Sequence, residues 1–252
     1  MTYILGRDFL AEVAKGNVAG HALVHKFGRN DAVPNGSWAH VNLLGSAAWM
    51  IQAATQVRVK AGNGADDTAG NGAREITVVG IDDNFAEVTE AIATAGAGAS
   101  SNSSASFWRV YRAYVSAAGT YSAANTAAVV IENSAGTVNL INIAIEEGQT
   151  QFCAYTVPLG KTAYMLSAHV HVDGNKSSNL RMFQRRSFDD VTAPLESKRI
   201  VLHMDGINDS HRHVEASPGG GFPAKTDLWW EAWGDGAVSQ VSVNFELLLV
   251  DD

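Results

Sequence analysis

Cysteine, proline and charge are all scarce in this 252-residue chain: one cysteine, five prolines, and 17% Asp, Glu, Lys and Arg. A single thiol excludes an internal disulfide, and Cys153, flanked by Phe152 and Ala154, reads as a buried and inert one. Acidic residues outnumber basic ones by 26 to 18, for a formal net charge of −8. Such a chain gains nothing from counterion release on a phosphate backbone, so no nucleic acid is expected as a direct partner. No apolar run approaches the roughly 20 residues of a membrane helix, so no membrane is expected either. No charged segment followed by an apolar one opens the sequence, so a secretory signal is not expected, and the chain should be soluble and fold in a reducing cell. Catalytic fingerprints are missing as well: no G-x-S-x-G, no H-E-x-x-H, no G-x-x-x-x-G-K-S/T and no dinucleotide motif. Neither an enzymatic activity nor a cofactor is expected.

What is present is strand. Aromatic and β-branched residues recur in short runs between Gly/Asn/Ser clusters, which predicts an all-β chain with little helix. Alternation is cleanest at the end, where Val241, Val243, Phe245, Leu247 and Leu249 face one way and Ser242, Asn244 and Glu246 the other. Residues 149–172 predict a β-hairpin turning at Pro158-Leu159-Gly160-Lys161, with Tyr164, Leu166, Ala168, Val170 and Val172 on one face. Further strands are expected at 56–60, 75–81, 85–94, 107–115, 127–132 and 138–145, with Ile141, Ile143 and Ile145 aligned. Others are expected at 180–186, 200–204, 211–215 and 227–233, with Ile200, Leu202 and Met204 facing a core. Near the start, residues 8–16 carry an early acid, a late Lys and a closing Gly, which predicts two helical turns too short to stand alone. The expected organisation is an N-terminal arm (1–35) and two β-sandwich, jelly-roll-like units (36–146 and 147–252). The arm either docks on a neighbouring subunit, through Phe9, Leu10, Val13, Leu23, Val24 and Phe27, or folds back on its own domain.

Histidine is the residue type that invites a chemical reading. His169 and His171 share one strand face, as do His211 and His213, so two His-x-His pairs could meet around a Zn or Fe ion, or ligate one ion at a trimer axis. The other reading is a polar sheet face. The adjacent acids Asp82-Asp83 and Asp189-Asp190 would point to opposite sides of a strand and read as turn residues rather than a glycosidase pair. Asn63, Asp66 and Asp67 offer loop oxygens to Ca²⁺, at a spacing that matches no known loop. Trp229 and Trp233 alternate away from Trp230, which faces the core, and so suggest an exposed aromatic pair. A protein interface or a stacked sugar would each use it.

Segments at three points, the start, middle and end of the chain, resemble structural proteins of tailed-phage virions. YTVPLGKTAYML (155–166) resembles a strand–turn–strand of β-sandwich virion proteins. EVAKGNVAGHALVHKFGRN (12–30) is similar to the start of virion proteins of short-tailed marine phages, and FPAKTDLWWEAWG (222–234) with VSVNFELLLVDD (241–252) is similar to their end. The resemblance implies a virion protein, such as a capsid decoration or cement protein on the particle exterior, made in the host cytoplasm. Its implied partners are the major capsid protein or other virion proteins, and copies of itself, a trimer suiting three-fold positions on the shell. A head- or tail-fibre module binding surface glycan through exposed Trp is the other role it allows.

Overall fold

The C-terminal alternation forms as expected: Val241, Val243, Phe245, Leu247 and Leu249 are all buried, on a strand with partners along both edges. The computed structural model describes residues 8–43, 48–214 and 220–252. One helix, α1 (Phe9–Ala14), precedes strands β1 (His21–Val33), β2 (Ala39–His40), β3 (Thr55–Ala61), β4 (Ala73–Asp82), β5 (Glu87–Ala93), β6 (Ser106–Ala118), β7 (Val129–Asn133) and β8 (Asn139–Ile143). The second half adds β9 (Ala154–Thr156), β10 (Lys161–Val172), β11 (Ser177–Arg185), β12 (Arg199–Ile207), β13 (Ser210–Val214), β14 (Asp227–Asp235) and β15 (Ser239–Asp251). Among the described residues the fold is all-β, built of antiparallel sheets, with a single short helix near the N-terminus.

Strand pairing redraws the expected domains. A four-stranded sheet has the order β1-β15-β10-β13, and a five-stranded one the order β12-β11-β14-β2 with β9 also on β14. These two sheets pack on each other through β1, β11, β14 and β15. The segment expected as part of an arm is therefore an integral strand of the C-terminal sandwich. β1 runs antiparallel to β15 from His21 opposite Val250 to Asn30 opposite Val241. An extended segment with Val33 at 0% exposure and a long free strand edge beside it loses less by pairing within the chain than by waiting for a neighbour. Gly28 shows how tightly it is held: a Cβ there would lie 2.3 Å from the Cys153 amide nitrogen and 2.7 Å from the Val41 carbonyl oxygen. The helix ahead of it is capped by Asp8, which accepts from the Ala11 amide at 2.9 Å. Too short to persist alone, it docks by burying Val13.

The remaining strands, 55–143, form a six-stranded sheet in the order β5-β4-β6-β3-β7-β8. β3 meets β6 only at Thr55 and Gln56, then runs along β7 from Val57 to Ala61. The sheet thus turns a corner at β3 and brings β6 against β8. Ile76, Val78, Ile81, Val57, Val59, Ile131 and Ile141 fill the fold. This unit sits between the first and second contributions of the chain to the other sandwich.

Three local expectations differ from what forms. Residues 149–172 are not a hairpin, because β9 pairs with β14 and β10 with β15 and β13. The turn at 158–160 carries the chain from one sheet to the other. Along β10 the register shifts between Met165 and Ser167. One extra residue, Leu166, reverses the phase, so Ala163 and Met165 are buried before it and Ala168, Val170 and Val172 after it. Finally, β8 ends at Ile143 and register shifts interrupt the β11–β12 ladder, leaving Ile145 57% and Ile200 51% exposed.

Candidate functional site

The residues expected at an interface separate into two groups. Val13 and Trp229 are buried, and Val24 packs against the core. Phe9 is half-buried with its ring edge-on to His21, centroids 5.6 Å apart. Leu10 and Leu23 remain exposed at 40% and 39%, and Phe27 is half-buried with its ring 6.0 Å from that of His25.

Trp229 is not the exposed indole its alternation suggested; it is 2% exposed. β14 is a central strand, so Trp230 is covered on one face and Trp229 on the other. Phe183 stacks on Trp229 at 5.5 Å and Trp49 meets it edge-on at 6.4 Å. The Trp229 indole N–H donates to Glu231 Oε1 at 2.9 Å, and Lys198 Nζ donates to the same oxygen at 3.0 Å. His40 stands beside this group, and burial pulls its pKa below the usual imidazole value, with the Lys198 charge acting in the same direction and Glu231 against it. Trp233 is half-buried against Trp38, at 5.6 Å, and Arg181 lies over the Trp38 ring at 3.8 Å.

The two histidine pairs sit on neighbouring strands, but the register separates them. His169 lies opposite Arg212 and His171 opposite Ser210, whereas His213 lies opposite Ala168 and His211 opposite Val170. Directly opposed residues share a face, so His169 and His171 point to one side of the sheet and His211 and His213 to the other. Four imidazoles therefore cannot converge. Among the described residues, no group of three or more His, Cys, Asp or Glu side chains is placed to hold a metal ion.

Asp66 likewise has a different task from the calcium ligand considered above. Its carboxylate is fully buried and accepts from the amides of Ala73 (2.8 Å), Thr126 (2.9 Å) and Ala127 (3.1 Å) and from the Thr126 hydroxyl (2.9 Å). It ties the 61–72 loop to the segment after β6, and a Cβ on Gly72 would lie 2.1 Å from its Oδ1. Asp66→Ala leaves several donors unpaired at about 1–3 kcal/mol each, so urea denaturation is expected to read a loss of about 3–5 kcal/mol. A loss under about 1 kcal/mol would contradict that role. The paired acids sit at a strand end and in turns. Asp82 Oδ1 accepts from the amides of Asn84 and Ala86, both at 2.9 Å, and Asp189 pairs with Lys225 at 2.8 Å.

Between the six-stranded sheet and the sandwich runs a buried polar seam that the sequence does not announce. Arg109 on β6 and Asp227 on β14 are 1% and 0% exposed and pair at 2.9 Å. The Thr156 hydroxyl donates to Asp227 Oδ1 at 2.7 Å, and Arg109 Nη1 donates to the Ile51 carbonyl at 2.9 Å. Beside this pair, Lys26 of β1 donates from Nζ to the Tyr111 carbonyl at 2.6 Å, and the Tyr111 hydroxyl donates to Glu87. Burial lowers the Lys26 pKa to about 7; Arg112 adds to the fall, while Cys153 and Glu87 oppose it. Burial pushes the Tyr111 and Tyr155 phenols and the Cys153 thiol up. Cys153 is thereby held as the neutral thiol, the opposite of what a nucleophile requires.

On the outer face of the four-stranded sheet every strand contributes polar side chains. Across it run Phe27, Asn244, His169 and Arg212 in one row and His25, Glu246 and Ser167 in the next. His25, Ser167, His169, Arg212, Asn244 and Glu246 line a depression of about 400 Å³ there. A second open cleft, about 680 Å³, lies among turn residues including Asn175, Lys176, Asp209 and Asp235. Sequence reasoning identified His169 and the outward residues of β15, but not the partners that register brings beside them.

Among the described residues, no helix is long and apolar enough to cross a membrane. No protein-family profile and no curated protein matches the chain in sequence. Among solved structures, that of infectious bursal disease virus, Gx strain, is similar at 10% identity over 92% of this chain and 72% of that one, with a TM-score of 0.26. The infectious bursal disease virus VP2 subviral particle is similar at 9% identity over 92% and 76%, with a TM-score of 0.20. At these TM-scores the likeness carries no argument about what this chain does.

Proposed function

We propose that the chain is a non-enzymatic structural protein of a tailed-phage particle, acting as a decoration or cement protein on the capsid exterior. One observation carries the reading. The segments that resemble virion proteins are far apart in sequence, yet they build one object. Residues 12–30 contain most of β1, 155–166 join β9 to β10, and 222–234 with 241–252 hold most of β14 and β15. Those strands are neighbours in the order β1-β15-β10 and in the β9–β14 pair. The resemblance thus falls on neighbouring strands of the sandwich, β1, β15, β10, β9 and β14, while the six-stranded unit lies outside it.

In this role the sandwich is the part that seats on the shell, and contact area does the work. The apolar residues left exposed at the start of the chain, Leu10 and Leu23, belong to that contact, alongside the major capsid protein or a second copy of the chain. Assembly as a trimer suits a three-fold position. Because β1 is part of its own sandwich, it does not reach across to a neighbour as a free arm. The fibre reading depended on indoles open to solvent, and the burial of Trp229 removes that support.

The test is co-sedimentation of the purified protein with mature heads and, separately, with isolated tails, followed by electron cryomicroscopy of the decorated particle. Saturable binding to heads, with density at symmetry-related positions over the shell, is the expected result. Binding confined to tails or to a single vertex would overturn the proposal.

A further inference from the structure

Antiparallel register gathers polar side chains from four strands into the depression on the outer face of the four-stranded sheet. His25 comes from β1, Asn244 and Glu246 from β15, Ser167 and His169 from β10, and Arg212 from β13. Three of them stand side by side in one row, Asn244 opposite His169 and His169 opposite Arg212. The Ser167 hydroxyl donates to Glu246 Oε2 at 2.9 Å. Several other long cations are paired, Arg58 with Glu132, Arg199 with Glu196, Lys161 with Asp251 and Lys225 with Asp189. Within the described residues the Arg212, His169 and Asn244 side chains have no such partner. An exposed guanidinium, imidazole and carboxamide are thus held in one row by a rigid ladder, with their hydrogen-bonding capacity unspent.

We propose that this depression binds a carboxylated saccharide. The volume, about 400 Å³, falls within the range of small-molecule sites, about 300–1,000 Å³. Its lining excludes an apolar ligand, and its mix of donors and acceptors matches a ring bearing several hydroxyl groups. The planar fork of Arg212 takes a carboxylate through two parallel hydrogen bonds, which Lys cannot reproduce. His169 and Asn244 supply the adjoining donors. Glu246, held by Ser167, accepts from sugar hydroxyls and keeps the ligand's carboxylate at the Arg212 end. Phe27, half-buried opposite Asn244, offers a ring edge at the far side. An acidic peptide fits less well, since its side chains lack the hydroxyl groups that would donate to Glu246. The inference does not depend on where in a particle the chain resides.

The experiment is calorimetric titration of the full chain with trigalacturonate, and with the neutral galactotriose as its counterpart. Trigalacturonate is expected to bind saturably and at least about fivefold more tightly than the neutral sugar, as a charge-assisted contact requires. Arg212→Ala and His169→Ala should each weaken it by about tenfold or more, and Arg212→Lys by several-fold, because the charge survives but the fork does not. Arg199→Ala, paired with Glu196 on β12 away from this face, should leave binding unchanged. All are surface positions, so circular dichroism should read the same fold, and the Lys variant keeps the test decisive if an alanine variant does not. The proposal is overturned by an absence of binding at millimolar trigalacturonate, by equal affinity for galactotriose, or by an Arg212→Ala protein that binds as before. Hexaglutamate binding as tightly as trigalacturonate would also overturn it, by making this a general carboxylate surface.

Discussion

Asp227→Asn is expected to lower the thermal midpoint by roughly 10–15 °C. Arg109 and Asp227 are both removed from water, at 1% and 0% exposure. The carboxylate also accepts from Thr156, and the guanidinium lies 4.6 Å from the Phe188 ring centroid. Removing the negative partner leaves a buried cation uncompensated, a defect that costs about 3–5 kcal/mol. In a chain of about 150–250 residues, each kcal/mol moves the midpoint by about 2–4 °C. Arg109 belongs to the six-stranded unit and Asp227 to the sandwich, so the same change should loosen their docking and split one calorimetric transition into two. Arg109→Met combined with Asp227→Leu should recover much of the loss, because two matched apolar groups leave no charge stranded. A midpoint shift of under about 3 °C for Asp227→Asn would show that the pair is solvated and the seam weak.

Lys26 makes stability rise with pH. Its folded pKa is about 7 against an ordinary 10.5, so between those values the unfolded chain holds a proton that the folded one has released. Where the unfolded state binds more protons, stability increases with pH. Below about pH 7 both states carry the proton, and the folded state bears the full penalty of a buried ammonium. From about pH 7 to 9 the gain should be roughly 2 kcal/mol. Above about pH 9 the trend reverses, because the Cys153 thiol and the two phenols, all pushed up by burial, keep protons that the unfolded chain loses. Guanidinium denaturation at half-unit pH steps should therefore show a maximum near about pH 9. Lys26→Met should flatten the rise and be the more stable protein at neutral pH. A Lys26→Met protein that kept the original slope would place the source of the rise elsewhere.

The sequence by itself determined the all-β class, the short N-terminal helix and most strand positions. Those properties are local: alternation of side chains, turn residues and a capping Asp act over a few residues, and each is written where it acts. The inward set of β15, from Val241 to Leu249, was legible to the residue for that reason. What only the tertiary structure decided is everything that depends on which strand lies beside which. The pairing of β1 with β15 turned an expected arm into part of a sandwich. A one-residue offset between β10 and β13 sent His211 and His213 to the opposite face from His169 and His171, and a bulge at Leu166 reversed an alternation that looked regular. Trp229 alternates as an outward residue should, yet a second layer containing Trp49 covers it. Register and layering are set by contacts between residues tens to hundreds of positions apart, and no single segment carries them. The depression holding Arg212, His169 and Asn244 comes from the same long-range register, and so do Arg109 and Asp227, 118 residues apart.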